Sequence, residues 1–276
     1  MKQILDVEQA LERVPGWDPA AANIEKLSGG LTNRVFLVRS NDIAGVLRLS
    51  SDDGAPGVDH SRELQILQSA AAAGLAPAII YSDPDAGVLV TEHLAGRVWQ
   101  AADLDETQNL EQLARLLRRV HALPKANRHM NPVELAVKYA QSLASRHGLQ
   151  AFATDCVAVI RKNNAQASST CCHNDVVASN VIEGGALWLI DWEYACDNDP
   201  LFDLASLIGY HDLADKQQQI LLDAYAGGAD NALKERLAEQ VRLFDALQWL
   251  WLATRQLRSP HEAQVKRLEE LRQRVA

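Results

Sequence analysis

A change of period near residue 96 constrains this chain more than any other feature. Before it, short apolar runs alternate with turn-forming residues, and after it apolar residues recur at helical spacing. Val35-Phe36-Leu37-Val38 and Gly45-Val46-Leu47-Arg48-Leu49 flank Ser40-Asn41-Asp42, which predicts a hairpin. Ile79-Ile80-Tyr81 and Val88-Leu89-Val90 flank Asp83-Pro84-Asp85-Ala86-Gly87 and predict another. A helix over residues 61–73 is expected between them, with Gly74 at its C-terminal cap and Pro77 beyond. Asp6 with Gln9 forms a capping-box pattern, so a short helix is expected over 7–13, ended by Pro15-Gly16.

Downstream, Leu110, Leu113, Ala114, Leu117, Val120 and His121 share one helical face. Asn131-Pro132 with Glu134 opens a further helix, and helical patterns run over 200–210, 213–226, 231–257 and 261–274. The stretch from Thr170 to Asp191 interrupts them with short apolar runs around Glu183-Gly184-Gly185, a hairpin signature. The expected fold is α+β in two lobes: a small β-rich N-terminal lobe, residues 1–94, and a larger, mainly helical C-terminal lobe, residues 95–276. Clefts between such lobes favour ligands.

Composition narrows the function classes. With 47% apolar and 23% charged residues and no run of about 18 apolar residues, neither a disordered chain nor a membrane span is expected. The opening Met-Lys-Gln-Ile-Leu-Asp-Val-Glu has acids where a signal peptide needs an apolar run, so a cytoplasmic protein is expected. A net charge of −9 repels a phosphate backbone, which argues against nucleic-acid binding and suits a cationic small molecule. Cys171 and Cys172 are adjacent, a spacing unsuited to zinc even with His173 added, so Cys156, Cys171, Cys172 and Cys196 read as reduced, buried thiols.

The chemistry concentrates in His173-Asn174-Asp175-Val176-Val177-Ala178-Ser179-Asn180, followed eleven residues later by Asp191 in Leu189-Ile190-Asp191-Trp192-Glu193-Tyr194. Phosphoryl transfer from ATP needs a carboxylate near the accepting hydroxyl and hard oxygen ligands for Mg2+. Asp175, Asn180 and Asp191 meet those needs in order.

This H-x-D-x-x-x-x-N pattern with its I-D-W-E-Y block resembles the choline kinase and aminoglycoside phosphotransferase superfamily, whose fold is protein kinase-like. The blocks over residues 171–206, including Asn198-Asp199-Pro200 and Phe202-Asp203-Leu204-Ala205, look closest to bacterial choline kinases, and bacterial thiamine kinases are similar too. By that resemblance Asp175 orients the substrate hydroxyl and accepts its proton, Asn180 and Asp191 hold magnesium, His173 braces the loop and Asp203 supports it. Gly29, Gly30, Thr32 and Asn33, in the Gly-Gly-Leu-Thr-Asn form that this loop takes in choline kinase-like proteins, are implied to cradle phosphates. Arg48 stands where kinase folds carry a lysine for the α- and β-phosphates, with Glu63 as its helix partner, and the backbones of Glu92 and Leu94 are implied to meet adenine. His121 is read as a core histidine.

For the acceptor, the resemblance implies a small alcohol, choline or ethanolamine first, with thiamine or an aminoglycoside-like alcohol as the alternative. Trp249 and Trp251 lie in the helix where choline kinases carry their cage tryptophans. Residues two apart face different ways on a helix, so one of the pair is expected in the pocket and the other in the core. Glu193, Tyr194 and Asp212 are further acceptor-site candidates. Ser206 and Gly209-Tyr210 depart from the asparagine and glutamate that choline kinases carry after the Asp203 position, which leaves the acceptor open. A reading from another class, a catalytically inactive kinase fold that senses nucleotide, is disfavoured because Asp175, Asn180 and Asp191 are all present.

Overall fold

The computed structural model describes residues 5–27, 33–40, 43–50, 59–164, 169–258 and 260–276. Asp6 accepts a hydrogen bond from the Gln9 N–H at 2.8 Å, and the Gln9 side chain accepts from the Asp6 N–H at 3.2 Å, so the capping box opens α1 (Val7–Leu11). An antiparallel sheet follows, built from β1 (Asn23–Lys26), β2 (Asn33–Ser40) and β3 (Ile43–Ser50). After α2 (His60–Ala72), it is completed by β4 (Ile79–Asp83) and β5 (Val88–Glu92), in the order β1-β2-β3-β5-β4.

Alternation along β3 sets the geometry of the site. Leu47 and Leu49 point into an apolar cluster with Leu11, Trp17, Val38 and Val90, so Arg48 between them faces the other way, toward α2. Ladder pairs Val35↔Arg48 and Arg48↔Leu89 fix that register. Short apolar runs broken by turn-forming residues explain why both hairpins are readable from sequence. The all-exposed β1, Asn-Ile-Glu-Lys, offers no such pattern and is legible only in the structure.

The helical part comprises β6 (Arg97–Val98), α3 (Thr107–Val120), α4 (Pro132–Ser142), α5 (His147–Asn163), β7 (Thr170–Cys172), β8 (Val181–Glu183), β9 (Leu187–Leu189), β10 (Cys196–Asn198), α6 (Leu201–His211), α7 (Asp215–Ala226), α8 (Asn231–Arg258) and α9 (Glu262–Val275). Asn131 caps α4 through the Glu134 N–H at 3.0 Å, with Pro132 in its first turn. The β8–β9 hairpin turns at Glu183-Gly184-Gly185, and β7 pairs antiparallel with β10, setting Cys172 opposite Cys196.

Ile66, Leu67 and Ala70 of α2 share one apolar cluster with Leu113, Leu117 and Trp192, so the helix beside the sheet docks on the helical part. Each such side chain taken from water contributes roughly 1.5–3 kcal/mol. A second cluster joins α4, α5, α6 and α8 around Phe202, Phe244 and Trp249. The four cysteines are free and buried. Among the described residues, no helix is long and apolar enough to cross a membrane.

Candidate active site

Asp203, in the first turn of α6, is fully buried and organises the loop that follows β7. Its carboxylate accepts the backbone N–H groups of His173 at 2.9 Å and Asn174 at 2.6 Å, and meets His121 Nε2 at 2.9 Å. Burial pushes this carboxyl up, but His121 and the loop N–H more than offset it and hold it below its ordinary value. His121 is thus a core histidine with a task, itself held by the Tyr225 hydroxyl at 2.8 Å. Cys172 lies close to His121 and Asp203, yet burial holds its thiol well above its ordinary value and the carboxylate already has three donors, a poor setting for a metal.

His173 Nε2 donates to the Ile190 carbonyl at 3.0 Å, and its ring lies against Trp192 at 4.8 Å between centroids. Asn174 and Asp191 both take left-handed backbone, each with φ of 65°. Such a conformation disfavours a residue with a side chain and persists where neighbours over-determine it. For Asn174 those neighbours are the carbonyls of Cys172, Tyr194 and Cys196, which accept from its amide, and Asn198, which donates to it at 2.8 Å.

Held this way, Asp175 receives the Tyr210 hydroxyl on Oδ1 at 2.8 Å and Asn180 Nδ2 on Oδ2 at 3.2 Å. Asn180 Nδ2 also donates to the Asp175 carbonyl at 3.0 Å, which leaves Asn180 Oδ1 uncommitted among the described residues. The Ile190 N–H donates to the Asn180 carbonyl at 2.9 Å, setting Asp191 beside the loop.

From the sheet, Arg48 donates from Nη2 to Glu63 Oε2 at 2.6 Å, its Nη1 lies 2.5 Å from Glu63 Oε1 as an ion pair, and it reaches Asp191 Oδ1 at 3.5 Å. Burial alone pulls the guanidinium down, and Glu63 reverses this to hold it well above its ordinary value. In turn, burial pushes Glu63 up, while Arg48 and His60 bring it below the ordinary carboxylate value. Asn33 Nδ2 donates to Glu193 Oε2 at 2.7 Å, a second tie between sheet and loop.

Asp175, Asn180, Asp191, Glu193 and Tyr194 line one cavity of about 580 Å³ that extends past Tyr210 and Phe244 to Trp251. Burial and then the Glu193 charge push Asp191 up to about 7. Burial pushes Asp175 up to about 6 against the pull of the Tyr210 bond. Carboxylates gathered in this way need a cation or a proton.

Other sequence-expected residues sit elsewhere. Gly29, Gly30 and Thr32 lie outside the described residues. Arg48, Glu63, Glu92 and Leu94 are not on the cavity wall. Glu92 turns both its N–H and its carboxylate to the Ala78 backbone, at 2.8 and 3.1 Å. Of the tryptophan pair, Trp251 lines the cavity, whereas Trp249 is 2% exposed and packs edge-on against Phe152 at 4.7 Å, so it is Trp249 that lies in the core. Asp212, another acceptor-site candidate, stands elsewhere. It caps α6 with φ of 51°, outside the cavity, and its carboxylate is taken by Arg267 at 2.8 Å and by Arg274.

The sequence reading missed Tyr210 and His211 as parts of the site. A signal existed: Asp203, Ser206 and Tyr210 recur at i, i+3 and i+7 and share one face of α6. All three grip the same loop, Ser206 Oγ through the Val176 N–H at 3.2 Å. His211, one residue on, accepts the Ala178 N–H at 3.0 Å, and its ring is held down at about 4 by burial and Arg267.

Comparison with known proteins identifies the family and the fold. Residues 23–244 match the phosphotransferase enzyme family. Protein LicA of Haemophilus influenzae is 27% identical over 208 residues, 71% of this chain, a match that spans 61% of that protein. Thiamine kinase of Salmonella typhimurium is 31% identical over 234 residues, 83% of this chain and 79% of the relative. Among solved structures, a choline/ethanolamine kinase family protein from Mesorhizobium loti superposes with a TM-score of 0.76 at 25% identity, covering 97% of this chain and 92% of its own. Choline kinase LicA from Streptococcus pneumoniae shares the fold with a TM-score of 0.77 at 21% identity, covering 90% and 91%. An antiparallel sheet docked on a mainly helical part is the kinase-like architecture of these neighbours, and the chain belongs to the phosphotransferase enzyme family.

Proposed function

We propose that the chain transfers the γ-phosphoryl group of ATP to the hydroxyl of a small nitrogen-bearing alcohol, of the choline and ethanolamine kind or the thiamine kind that its relatives' names carry. One observation carries this reading: the Asp175 carboxylate is gripped by Tyr210 and Asn180 on the wall of a cavity of about 580 Å³, the size of a small-metabolite site. Its basicity, raised to about 6, suits a group that takes a proton near neutral pH.

Magnesium fits the donor set. Asn180 Oδ1 and the Asp191 carboxylate are hard oxygens, and Asp175, Asp191 and Glu193 bring more negative charge together than Arg48 offsets. Asn180 and Asp191 would hold the ion, which when bound neutralises charge on the β- and γ-phosphates. Arg48, fixed by Glu63, meets phosphate oxygens from the sheet side. Asp175 aligns the acceptor hydroxyl. The acceptor's hydroxyl oxygen bonds to the γ-phosphorus as the bond to the β–γ bridging oxygen breaks, ADP departs, and the hydroxyl proton passes to the Asp175 carboxylate. ATP supply and four free, buried thiols both suit the cytoplasm.

Purified protein with Mg2+ and ATP, presented with choline, ethanolamine, thiamine and an aminoglycoside set, is expected to release ADP with at least one of them. Silence on all would reject the named acceptors. In Asp175→Asn, nucleotide binding is expected to persist while turnover falls at least ~100-fold. Nucleotide binding without turnover of any alcohol in the unaltered protein would favour an inactive binding module instead.

A further inference from the structure

The wall of the cavity away from Asp175 carries polar atoms that nothing in the protein satisfies. Gln248 Oε1, Gln264 Oε1 and the Tyr194 hydroxyl are buried without a hydrogen-bond partner among the described residues, and all three residues line the same cavity. They come from separate elements: α8, α9 and the turn after Asp191. Gln248 is only 7% exposed. A buried amide oxygen left unpaired costs free energy that a donor restores, so three converging on one cavity mark where a ligand's donors belong.

A second observation bears on the same wall. Trp251 lines the cavity, but the Arg255 guanidinium lies over its ring at 5.4 Å from the centroid, so one aromatic face is already occupied by a cation. Trp249 is in the core. Arg267, pinned by Asp212 and the Gly209 carbonyl, adds a fixed positive charge to the lining. Trp251 therefore has at most one open face for a trimethylammonium head, and such a head offers no N–H to the unpaired oxygens beside it.

Resting on the phosphotransferase reading, we infer that the acceptor is an amino alcohol presenting at least two N–H or O–H donors to Gln248, Gln264 and Tyr194, besides the hydroxyl that takes the phosphoryl group. An acceptor whose nitrogen is fully methylated is disfavoured. A site built to pair donors rejects the analogue lacking them more strongly than an apolar pocket rejects a change of size.

The test strips N–H donors from an acceptor at constant charge. Ethanolamine, its N-methyl and N,N-dimethyl forms and choline offer three, two, one and no N–H groups, and thiamine is compared with its analogue lacking the ring amino group. With saturating Mg2+ and ATP, kcat/KM is expected to fall by about tenfold for each donor lost that had a partner. In Gln248→Leu and in Gln264→Leu the ratio of donor-bearing to donor-free acceptor should shrink at least ~10-fold, and a ratio cancels any shared loss of folded protein. Choline or the amino-stripped analogue turned over as well as its parent, or ratios unchanged in both variants, would overturn the inference. So would a nucleotide-loaded protein that binds none of the donor-bearing compounds by calorimetry. Failure to bind Mg2+ and ATP at all would instead sink the phosphotransferase reading.

Discussion

Replacing Tyr210 by phenylalanine removes one hydroxyl and keeps the ring, which packs edge-on against Phe244 at 5.1 Å. What is lost is the 2.8 Å bond to Asp175 Oδ1. A hydrogen bond to a charged group contributes about 1.5–3 kcal/mol, and 1.36 kcal/mol corresponds to one pH unit, so the Asp175 carboxyl should rise by roughly one to two units. Its starting point is already about 6, where burial pushes it up and Tyr210 holds it back. The sign follows from the proposed role of Asp175: a base works deprotonated, so activity fades as pH falls through its pKa, and raising that pKa moves the acid limb to higher pH. At pH 7 kcat/KM should drop roughly two- to tenfold and recover near pH 9. Variant and parent are compared at the same magnesium concentration, so the ion's own effect on the carboxyl enters both. An acid limb that stays where it was, or a loss that no alkaline pH restores, would refute the reasoning.

Three further outcomes are expected. Asp175→Asn should melt higher than the parent at pH 8 without magnesium. The folded carboxyl sits near 6 against an ordinary 3.8, so its ionised form costs the fold up to about 3 kcal/mol, fully above pH 6 and not at all below pH 4; a gain equal at pH 8 and pH 4 would contradict this. Glu63→Gln strands the buried Arg48 charge at a cost of about 3 kcal/mol, read as a melting point lower by roughly 6–10 °C together with a raised KM for ATP. Trp249→Ala should cost about 3–5 kcal/mol of stability in a denaturant titration, whereas Trp251→Ala should chiefly raise the acceptor KM; the reverse pattern would misplace both.

Residues whose placement follows from local spacing were legible in the sequence. The separation of Asp175, Asn180 and Asp191 and the strand alternation that turns Arg48 toward Glu63 are both local patterns, and the structure sets these residues in the arrangement just described. Roles set by non-local packing were not. Asp212 has an acid's chemistry and a plausible position, yet α9, more than fifty residues on, brings Arg267 to it. The pairing of β10 with β7 is equally silent, since Cys-Asp-Asn has turn-forming composition and becomes a strand because the loop at Asn174 needs Asn198 beside it. Helix α5 begins at His147 after Arg146, which offers no side-chain cap, and so lacks a readable start.

The clasp between α9 and the end of α6 has a consequence for biosynthesis. Arg267 and Arg274 fasten the turn at Gly209 and Asp212, immediately beside Tyr210, and Gln264 of the same helix forms part of the wall. A nascent chain can assemble the Arg48–Glu63 pair and the loop at Asp175 well before those arginines leave the ribosome. Nucleotide recognition should therefore mature ahead of acceptor recognition, and a chain halted after α8 would hold a phosphoryl donor with no finished chamber in which to use it.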